Sequence, residues 1–189
     1  MSTVTLTIDG REVQAERGTP LLQVARAAGA RIPTLCHDEE LKPSGACRLC
    51  LVEVQTGKKT RTVASCVYPA EAGIVVRTST PKIEKHRKLI LELLFPTATK
   101  LAREHGVTSS RFTPSTPDCN LCGLCVRYCA EVAKKNVLYF KGRGVDRQIA
   151  FVPGAALECA QCRKCWGLCT GGLVVSQHGL AAYGSVSNG

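Results

Sequence analysis

Two copies of one cysteine pattern in the C-terminal part of the chain restrict most strongly what this sequence can fold into. Each copy has three Cys spaced by two residues and a fourth Cys three residues later, at Cys119, Cys122, Cys125 and Cys129 and again at Cys159, Cys162, Cys165 and Cys169. Three thiolates at this spacing can wrap one face of a cubane iron–sulfur cluster, and the fourth lies on a helix that leads away from it. The pattern therefore predicts two [4Fe–4S] clusters over residues 119–169.

The ligands of these two clusters are expected to be crossed between the copies. In bacterial ferredoxins with this run, the fourth Cys ligates the other cluster. We therefore predict that one cluster is held by Cys119, Cys122, Cys125 and Cys169, and the other by Cys159, Cys162, Cys165 and Cys129. The usual Pro after the fourth Cys is replaced by Ala130 and Thr170, which leaves the spacing intact.

The composition agrees with a chain built around metal sites. It has 12 Cys in 189 residues and only 5% aromatic residues, as in small domains whose metal sites replace part of a conventional core. No basic segment followed by an apolar stretch opens the sequence, and no apolar run approaches the roughly 18 residues that span a bilayer. We therefore expect a cytoplasmic protein without a membrane span, where dense Cys indicate metal rather than disulfides.

The net charge of +10 lies mainly in the second half of the chain. Residues 1–80 carry ten Lys/Arg and eight Asp/Glu, a net +2, and residues 81–189 carry fifteen and seven, a net +8. An oxidised cluster with four thiolates has a charge of about −2, so three clusters would lower the total to about +4. A zinc-binding nucleic-acid protein is a remote alternative, because zinc sites use two CxxC pairs set well apart.

The N-terminal residues predict a hairpin followed by a crossing helix. Residues 4–8 alternate apolar side chains with Thr, and Asp9-Gly10 predicts a tight turn before a returning strand at residues 12–15. Thr19-Pro20 predicts the start of a helix, with its apolar face in residues 21–28. This order is the opening of a β-grasp fold.

A third group of four Cys follows this helix, at Cys36, Cys47, Cys50 and Cys66. The small residues 44–46 let backbone N–H groups approach cluster sulfurs and tune the potential. Strands are predicted at residues 51–54 and 74–77, with a turn at residues 57–59. The spacing of this group differs from the plant-type [2Fe–2S] spacing, which packs three Cys in a short loop.

Residues 32–37 and 45–54 resemble the [2Fe–2S] domain shared by three groups of proteins. These are the complex I large iron–sulfur subunit, the iron–sulfur diaphorase subunit of NAD-reducing hydrogenases, and the N-terminal region of [FeFe]-hydrogenases and some NAD-dependent formate dehydrogenases. The small diaphorase subunit matches best in length and order. The resemblance implies one [2Fe–2S] cluster on Cys36, Cys47, Cys50 and Cys66, and an α+β chain with an N-terminal β-grasp domain and a C-terminal bacterial 2[4Fe–4S] ferredoxin-like domain.

The segment between these domains departs from the family. Thr80-Pro81 predicts a second helix with an apolar stripe of Ile83, His86, Ile90, Leu93 and Leu94. Many similar proteins then carry an extra [4Fe–4S] cluster on one His and three Cys, but residues 95–118 contain His105 and no Cys. We therefore expect that cluster to be absent and this segment to be irregular.

The domain boundaries follow from these elements: 1–80 for the [2Fe–2S] domain, 81–118 for the connecting helix and linker, and 119–189 for the ferredoxin-like domain. Within the last, a helix is predicted at residues 126–135 and a hairpin at residues 137–140 and 148–152. The run of residues 171–175 is expected to end the cluster domain, and residues from Ala181 onward to form a frayed tail.

Other side chains near the Cys have less specific roles. A Rieske centre needs two His ligands, so His37 is interpreted as a loop residue. The remaining His are interpreted as surface or packing residues: His86, His105 and His178. Trp166 is expected to pack over a cluster or against a partner subunit. Arg163 and Lys164 replace Gly123 and Leu124 of the first copy, and their charge is expected to raise the potential of the nearby cluster.

The sequence has no phosphate-binding glycine motif and no nucleophile at a recognisable spacing from a base. It therefore predicts no flavin, nicotinamide or organic substrate in this chain. The resemblance implies a non-catalytic electron-transfer subunit between an NAD(H)/flavin subunit and a second catalytic subunit, such as a hydrogenase, a formate dehydrogenase or another low-potential oxidoreductase. A free-standing soluble polyferredoxin carrier is the alternative, although a basic chain favours a docked subunit.

Overall fold

The structure is a computed structural model that describes residues 2–95, 97–113 and 119–171. A five-stranded sheet has the order β2-β1-β5-β3-β4, with β1 at Thr3–Ile8, β2 at Arg11–Glu16, β3 at Leu51–Thr56, β4 at Lys59–Ala64 and β5 at Val75–Arg77. The α-helices are α1 at Leu21–Ala27, α2 at Pro81–Leu93, α3 at Thr99–Glu104, α4 at Leu124–Glu131 and α5 at Ala156–Cys162. A second sheet pairs β6 at Leu138–Lys141 with β7 at Gln148–Phe151.

The predicted N-terminal hairpin is confirmed. Asp9 and Gly10 both have positive φ, 48° and 82°, as a two-residue turn that matches the strand twist requires. On β1, Val4, Leu6 and Ile8 are buried while the Thr residues between them face outward or are half-buried. Because β1 pairs antiparallel with β2 and parallel with β5, the sheet is mixed. The predicted α+β architecture of the N-terminal part is confirmed.

Helix α1 begins one residue later than the sequence predicts, and Thr19 does not cap it. Pro20 flanks the helix with an extended ψ of 132° and no side-chain cap is present. Instead, the Leu21 N–H donates to Tyr68 O at 2.9 Å and the Leu22 N–H donates to Ser65 O at 3.0 Å. The loop around Cys66 thus satisfies N–H groups that a cap would otherwise serve.

Helix α2 begins as predicted, but its buried face differs from the predicted stripe. The Thr80 hydroxyl accepts from the Ile83 N–H. The buried residues are Ile83, Arg87 and Leu91, whereas Leu93 is 51% exposed. The prediction was wrong because it excluded the arginine, whose guanidinium finds acceptors inside the protein.

The linker contains a helix, which corrects the prediction that residues 95–118 are irregular. Helix α3 packs through small residues, Ala98 and Ala102, which are buried. They join one apolar group, called here the bridging core: Leu35, Leu49, Leu91, Ala98, Ala102 and Val107. Because this group takes residues from the loop of the third Cys group and from α2 and α3, it fixes the linker against the N-terminal part.

The C-terminal part is smaller and carries four of its eight Cys on two helices. Helix α4 begins and ends earlier than the predicted 126–135, and the β6–β7 hairpin lies within one residue of its predicted bounds. Helix α5, which carries Cys159 and Cys162, was not predicted. The expected tail, His178 and most of residues 171–175 lie outside the described residues. No described helix combines the length and apolarity needed to cross a bilayer.

Candidate metal centres

The third Cys group forms two pairs of thiols in the structure. The Cys47 thiol lies within hydrogen-bonding reach of Cys36 Sγ, and the Cys66 thiol lies within reach of Cys50 Sγ. Cys36, Cys50 and Cys66 are buried, at 2%, 2% and 1% exposure. Two pairs of thiols fit a group with two irons and four thiolate ligands.

Hydrogen bonds within these pairs separate the pKa values of the thiols. Donation from Cys47 lowers the pKa of Cys36 to about 5, although burial opposes this shift. Donation from Cys66 likewise lowers the pKa of Cys50 to about 6. The same contacts raise the pKa of Cys47 and of Cys66. Each pair thus holds one thiolate ready for a metal, and loading would release the other proton.

The small residues before Cys47 bring donors to the sulfurs, as predicted. The Cys47 N–H donates to Cys36 Sγ at 3.3 Å, and the Ser44 hydroxyl donates to the same sulfur at 3.7 Å. Gly45 is buried with φ of +64°, and its N–H lowers the pKa of Cys66. The site therefore presents four sulfurs and N–H donors aimed at them, which is the donor set of an iron–sulfur cluster.

Replacing Ser44 by alanine is expected to lower the potential of the [2Fe–2S] cluster. A hydrogen bond to a ligand sulfur stabilises the reduced, more negative form. Loss of a bond of about 1 kcal/mol corresponds to a shift on the order of 40 mV. EPR-monitored redox titration measures it, with the exposed Ser109→Ala as control; an unchanged potential in Ser44→Ala would exclude this donor.

Arg87 supports the same loop from α2. It is 2% exposed, and its guanidinium donates to Leu49 O at 3.3 Å and to Leu51 O at 2.9 Å, on either side of Cys50. It also donates to Thr78 O at 2.9 Å and pairs with Glu84 at 2.8 Å. The sequence analysis missed this residue. The sequence feature that could have identified it is its spacing: Arg87 lies four residues from both Ile83 and Leu91, which places it on the buried face of the helix.

The two C-terminal Cys runs line two separate cavities. One is lined by Cys119, Cys122, Cys125 and Cys169. The other is lined by Cys129, Cys159, Cys162 and Cys165. Each cavity thus collects three Cys of one run and the fourth Cys of the other. This is the grouping that crossed ligation requires, and the ligand assignment itself stays a prediction.

Helix α4 joins the two cavities. Cys125 and Cys129 are four residues apart, so they share one helix face with a separation of about 6 Å along the axis. No disulfide joins any of the twelve Cys, all of which lie in the described part of the chain. Among the same described residues, no three Cys, His, Asp or Glu side chains come close enough together to hold a single metal ion.

Burial dominates the electrostatics of five of these thiols. It raises the pKa of Cys122 to about 11 and that of Cys165 to about 12, and it raises the pKa of Cys119, Cys125 and Cys159 as well. These five thiols are therefore protonated at neutral pH before loading, and a cluster must displace those protons.

The two runs share a backbone feature at the residue after the second Cys. Gly123 has φ of 74° and Arg163 has φ of 53°. A left-handed residue is needed at both places, and a Cβ at Gly123 would lie 3.0 Å from Phe140 Cζ. In the second run an arginine accepts this conformation at a cost of about 1 kcal/mol.

Arg163 and Trp166 lie beside the second cavity. The Arg163 guanidinium stacks 5.2 Å from the Trp166 ring centroid, and both Arg163 and Lys164 line the cavity with Cys159. Trp166 packs against the apolar group that contains this Cys, and its predicted packing over a cluster or against a partner subunit stays a prediction. Its buried Nε1–H donates toward the Cys159 sulfur, and this contact opposes the burial that raises the pKa of that thiol.

Replacing Arg163 by glutamine is expected to lower the potential of any cluster that the second cavity holds. A positive charge beside a cluster favours its reduced form. Because Arg163 is exposed, solvent screening limits the shift to the order of tens of millivolts. Glutamine keeps the strained backbone and removes the charge, together with the guanidinium's contacts to the Trp166 ring and to Ala160 O. Redox titration measures the potential, with Arg143→Gln at an exposed position as the control variant. Equal potentials in the two variants would show that Arg163 has no electrostatic role.

The remaining His side chains are placed as follows. His37 Nδ1 is buried beside Cys36 without a hydrogen-bond partner in the described residues, and burial lowers its pKa. His86 is half-buried. His105 Nδ1 lies 3.8 Å from Glu84 Oε2, which places it in the linker as a packing residue. None of these three lines either cysteine-lined cavity.

Comparison with known proteins agrees with this geometry. Residues 1–81 match the family of 2Fe-2S iron-sulfur cluster binding domains. The NADH-ubiquinone oxidoreductase 78 kDa subunit of Neurospora crassa is 32% identical over 166 residues, which are 86% of this chain and 21% of that protein. The NADPH-Fe(3+) oxidoreductase subunit alpha of Geobacter sulfurreducens is 30% identical, over 92% of this chain and 24% of that protein. The chain thus spans about a quarter or less of these curated relatives.

A solved structure matches over most of both chains. A chain in the crystal structure of an H2-reduced NAD+-reducing [NiFe]-hydrogenase superposes with a TM-score of 0.69 at 32% identity, covering 82% of this chain and 77% of that one. The predicted resemblance is confirmed by this match together with the two curated relatives. The chain belongs to the family of iron–sulfur subunits that includes the NADH-ubiquinone oxidoreductase 78 kDa subunit and the matching subunit of NAD+-reducing [NiFe]-hydrogenase.

Proposed function

We propose that this chain is an iron–sulfur electron-transfer subunit that relays electrons between an NAD(H)/flavin subunit and a second catalytic subunit. The observation that carries the proposal is the grouping of all twelve Cys into three sets of four. One set forms two thiol pairs, and the other two line one cavity each. The second catalytic subunit is a hydrogenase, a formate dehydrogenase or another low-potential oxidoreductase.

Three clusters would be held, one [2Fe–2S] and two [4Fe–4S]. We propose Cys36, Cys47, Cys50 and Cys66 for the first, in a β-grasp domain of residues 1–80. We propose the two crossed sets for the others, in a bacterial 2[4Fe–4S] ferredoxin-like domain of residues 119–189, with residues 81–118 as the connection. Bound clusters supply one-electron carriers, so that a two-electron hydride is divided into single electrons.

The chain's own residues hold these sites in order and keep water away from them. Cys50 and Cys66 pack in the core formed by the sheet and helix α1, and Cys36 is buried beside them. Toward the C-terminal part, Cys47 and Cys122 both pack against the bridging core. Helix α4 then links the two cavities through Cys125 and Cys129. Neighbouring sites of one-electron carriers in a dry interior are what a relay requires.

The partners follow from the relatives. The names of the relatives describe subunits of NADH or NADPH oxidoreductases, and the solved structure is an NAD+-reducing hydrogenase. We infer that this chain likewise works in the cytoplasm within a complex of several subunits. Its free thiol chemistry and its net charge of +10 suit a reducing compartment and a docked position against acidic partners.

Anaerobic purification of the tagged chain from its own host tests this role. We expect a flavin-containing subunit to co-elute in gel filtration, and we expect NADH to reduce the EPR-active clusters of the intact complex. As a control for metal carried over during purification, an excess of the chain whose metal has been removed by a chelator is added. If the chain elutes as a monomer and NADH leaves its clusters oxidised, the relay is contradicted and a free carrier is supported.

A further inference from the structure

Helix α4 reaches all three Cys groups through two of its faces. Cys125 and Cys129 line the two cavities. Elsewhere on the same helix, Arg127 and Glu131 are also four residues apart and therefore share a face. Both reach the loop that follows Cys36.

Arg127 and Glu131 fasten this loop at two points. Arg127 Nη2 donates to Cys36 O at 2.5 Å, and Arg127 Nη1 donates to Lys42 O at 2.8 Å. The Lys42 N–H donates in turn to Glu131 Oε2 at 2.9 Å. These bonds are charge-assisted, and the arginine fork presents its donors in a fixed geometry. Residues 36–42 are thus held to α4 at both ends.

The arginine occupies this position despite an incomplete set of partners. Its Nε is buried and has no hydrogen-bond acceptor in the described part of the chain. A buried polar atom left without a partner is destabilising. Arg127 nevertheless makes two hydrogen bonds to the loop that follows Cys36. We infer that this contact is required and is not a chance surface pairing.

We propose that Arg127 and Glu131 are positioning residues that set the separation between the [2Fe–2S] site and the nearer [4Fe–4S] site. Their contacts tie the loop of Cys36 to the helix that carries Cys125. The two sites are neighbours, because Cys47 and Cys122 pack against the same bridging core. The inference rests on the proposed cluster ligands and adds the element that fixes their spacing.

The test uses the full cluster-loaded chain and three variants: Arg127→Leu, Arg127→Lys and Glu131→Ala. Arg103→Leu, an exposed arginine on α3, is the matched control. Three readouts are taken: iron and sulfide per chain, amide hydrogen exchange over residues 36–43, and the magnetic interaction between the reduced [2Fe–2S] cluster and the neighbouring reduced cluster in EPR. That interaction falls steeply with distance.

We expect Arg127→Leu to keep its iron, to exchange these amides about tenfold faster or more, and to weaken the magnetic interaction. Arg127→Lys keeps the charge but not the fork, so it should keep its iron and still weaken the magnetic interaction. Arg103→Leu should match the wild type in all three readouts. If Arg127→Leu fails to load, Glu131→Ala, which removes one bond at Lys42, decides in its place.

Several results overturn the proposal. An unchanged magnetic interaction in variants whose loop exchanges faster shows that the contacts do not set the spacing. Unchanged exchange shows that the contacts do not hold the loop. A wild-type chain that is fully loaded but lacks any interaction shows that the sites are not neighbours. Iron well below ten in the wild type instead contradicts the proposed function, which keeps the two failures distinct.

Discussion

Replacing Arg87 by leucine is expected to destabilise the chain by about 3 kcal/mol and to release the [2Fe–2S] cluster. The substitution leaves the carbonyls of Leu49, Leu51 and Thr78 without the donor they have in the native protein, and each lost bond to a buried group costs on the order of 1 kcal/mol or more. For a chain of this size the midpoint of thermal unfolding should fall by about 6–12 °C. Since Leu49 and Leu51 flank Cys50, the loop that presents this thiol should loosen as well.

Calorimetry and iron analysis of the same preparation measure both effects. We expect iron to fall from about ten to about eight per chain, with the EPR signal of the [2Fe–2S] cluster lost. Lys88→Leu, at the exposed neighbouring position of α2, is the control and should change neither quantity. An Arg87→Leu chain with native midpoint and full iron would show that the buried guanidinium does not support the loop.

The second large effect concerns crossed ligation. If Cys129 and Cys159 serve the same cluster, Cys129→Ala, Cys159→Ala and the double variant should each lose one [4Fe–4S] cluster and keep about six irons. The double variant is then no worse than either single variant. This non-additivity follows because the second substitution acts on a cluster that the first has already removed.

Combining Cys129→Ala with Cys122→Ala supplies the contrast. Under crossed ligation these residues belong to different cavities, so this double variant should keep only the [2Fe–2S] cluster and about two irons. Iron analysis and EPR of the four variants read the pattern directly. The opposite pattern, about two irons in the Cys129/Cys159 double variant and about six in the Cys122/Cys129 double variant, requires uncrossed ligands.

Much of the site was predictable because thiol spacing is a local property of the sequence. The spacing of the first three Cys in each run predicts three ligands of one cluster. Because the run occurs twice, it also predicts a partner cluster for each fourth Cys. The hairpin at Asp9-Gly10 and the cap at Thr80 are equally local, since each depends on one or two residues. These predictions needed no knowledge of distant contacts.

The errors concern residues whose environment is set by distant parts of the chain. The predicted apolar stripe omitted Arg87, whose acceptors lie 36 and 38 residues away at Leu51 and Leu49. Helix α1 starts where carbonyl groups of the loop around Cys66 can accept hydrogen bonds from its first N–H groups, and not where Thr19 would cap it. Tertiary contacts outweigh local propensity in both cases.

Helix α3 and the contacts of α4 show the same limit. Residues 95–118 are rich in Ser, Thr and Pro, which predicts a loop, but Ala98 and Ala102 fit the bridging core and stabilise one and a half turns of helix. Arg127 stands between two Cys of a recognised motif and gave no separate signal, because its partners are the carbonyls of Cys36 and Lys42.

The most direct test of the three-cluster account is the amount of iron and acid-labile sulfide per chain in protein purified without oxygen. One [2Fe–2S] and two [4Fe–4S] clusters require about ten of each. About ten of each supports an electron-transfer subunit with all twelve Cys as ligands. About eight would remove the N-terminal cluster, and stoichiometric zinc with little sulfide would contradict the electron-transfer function altogether.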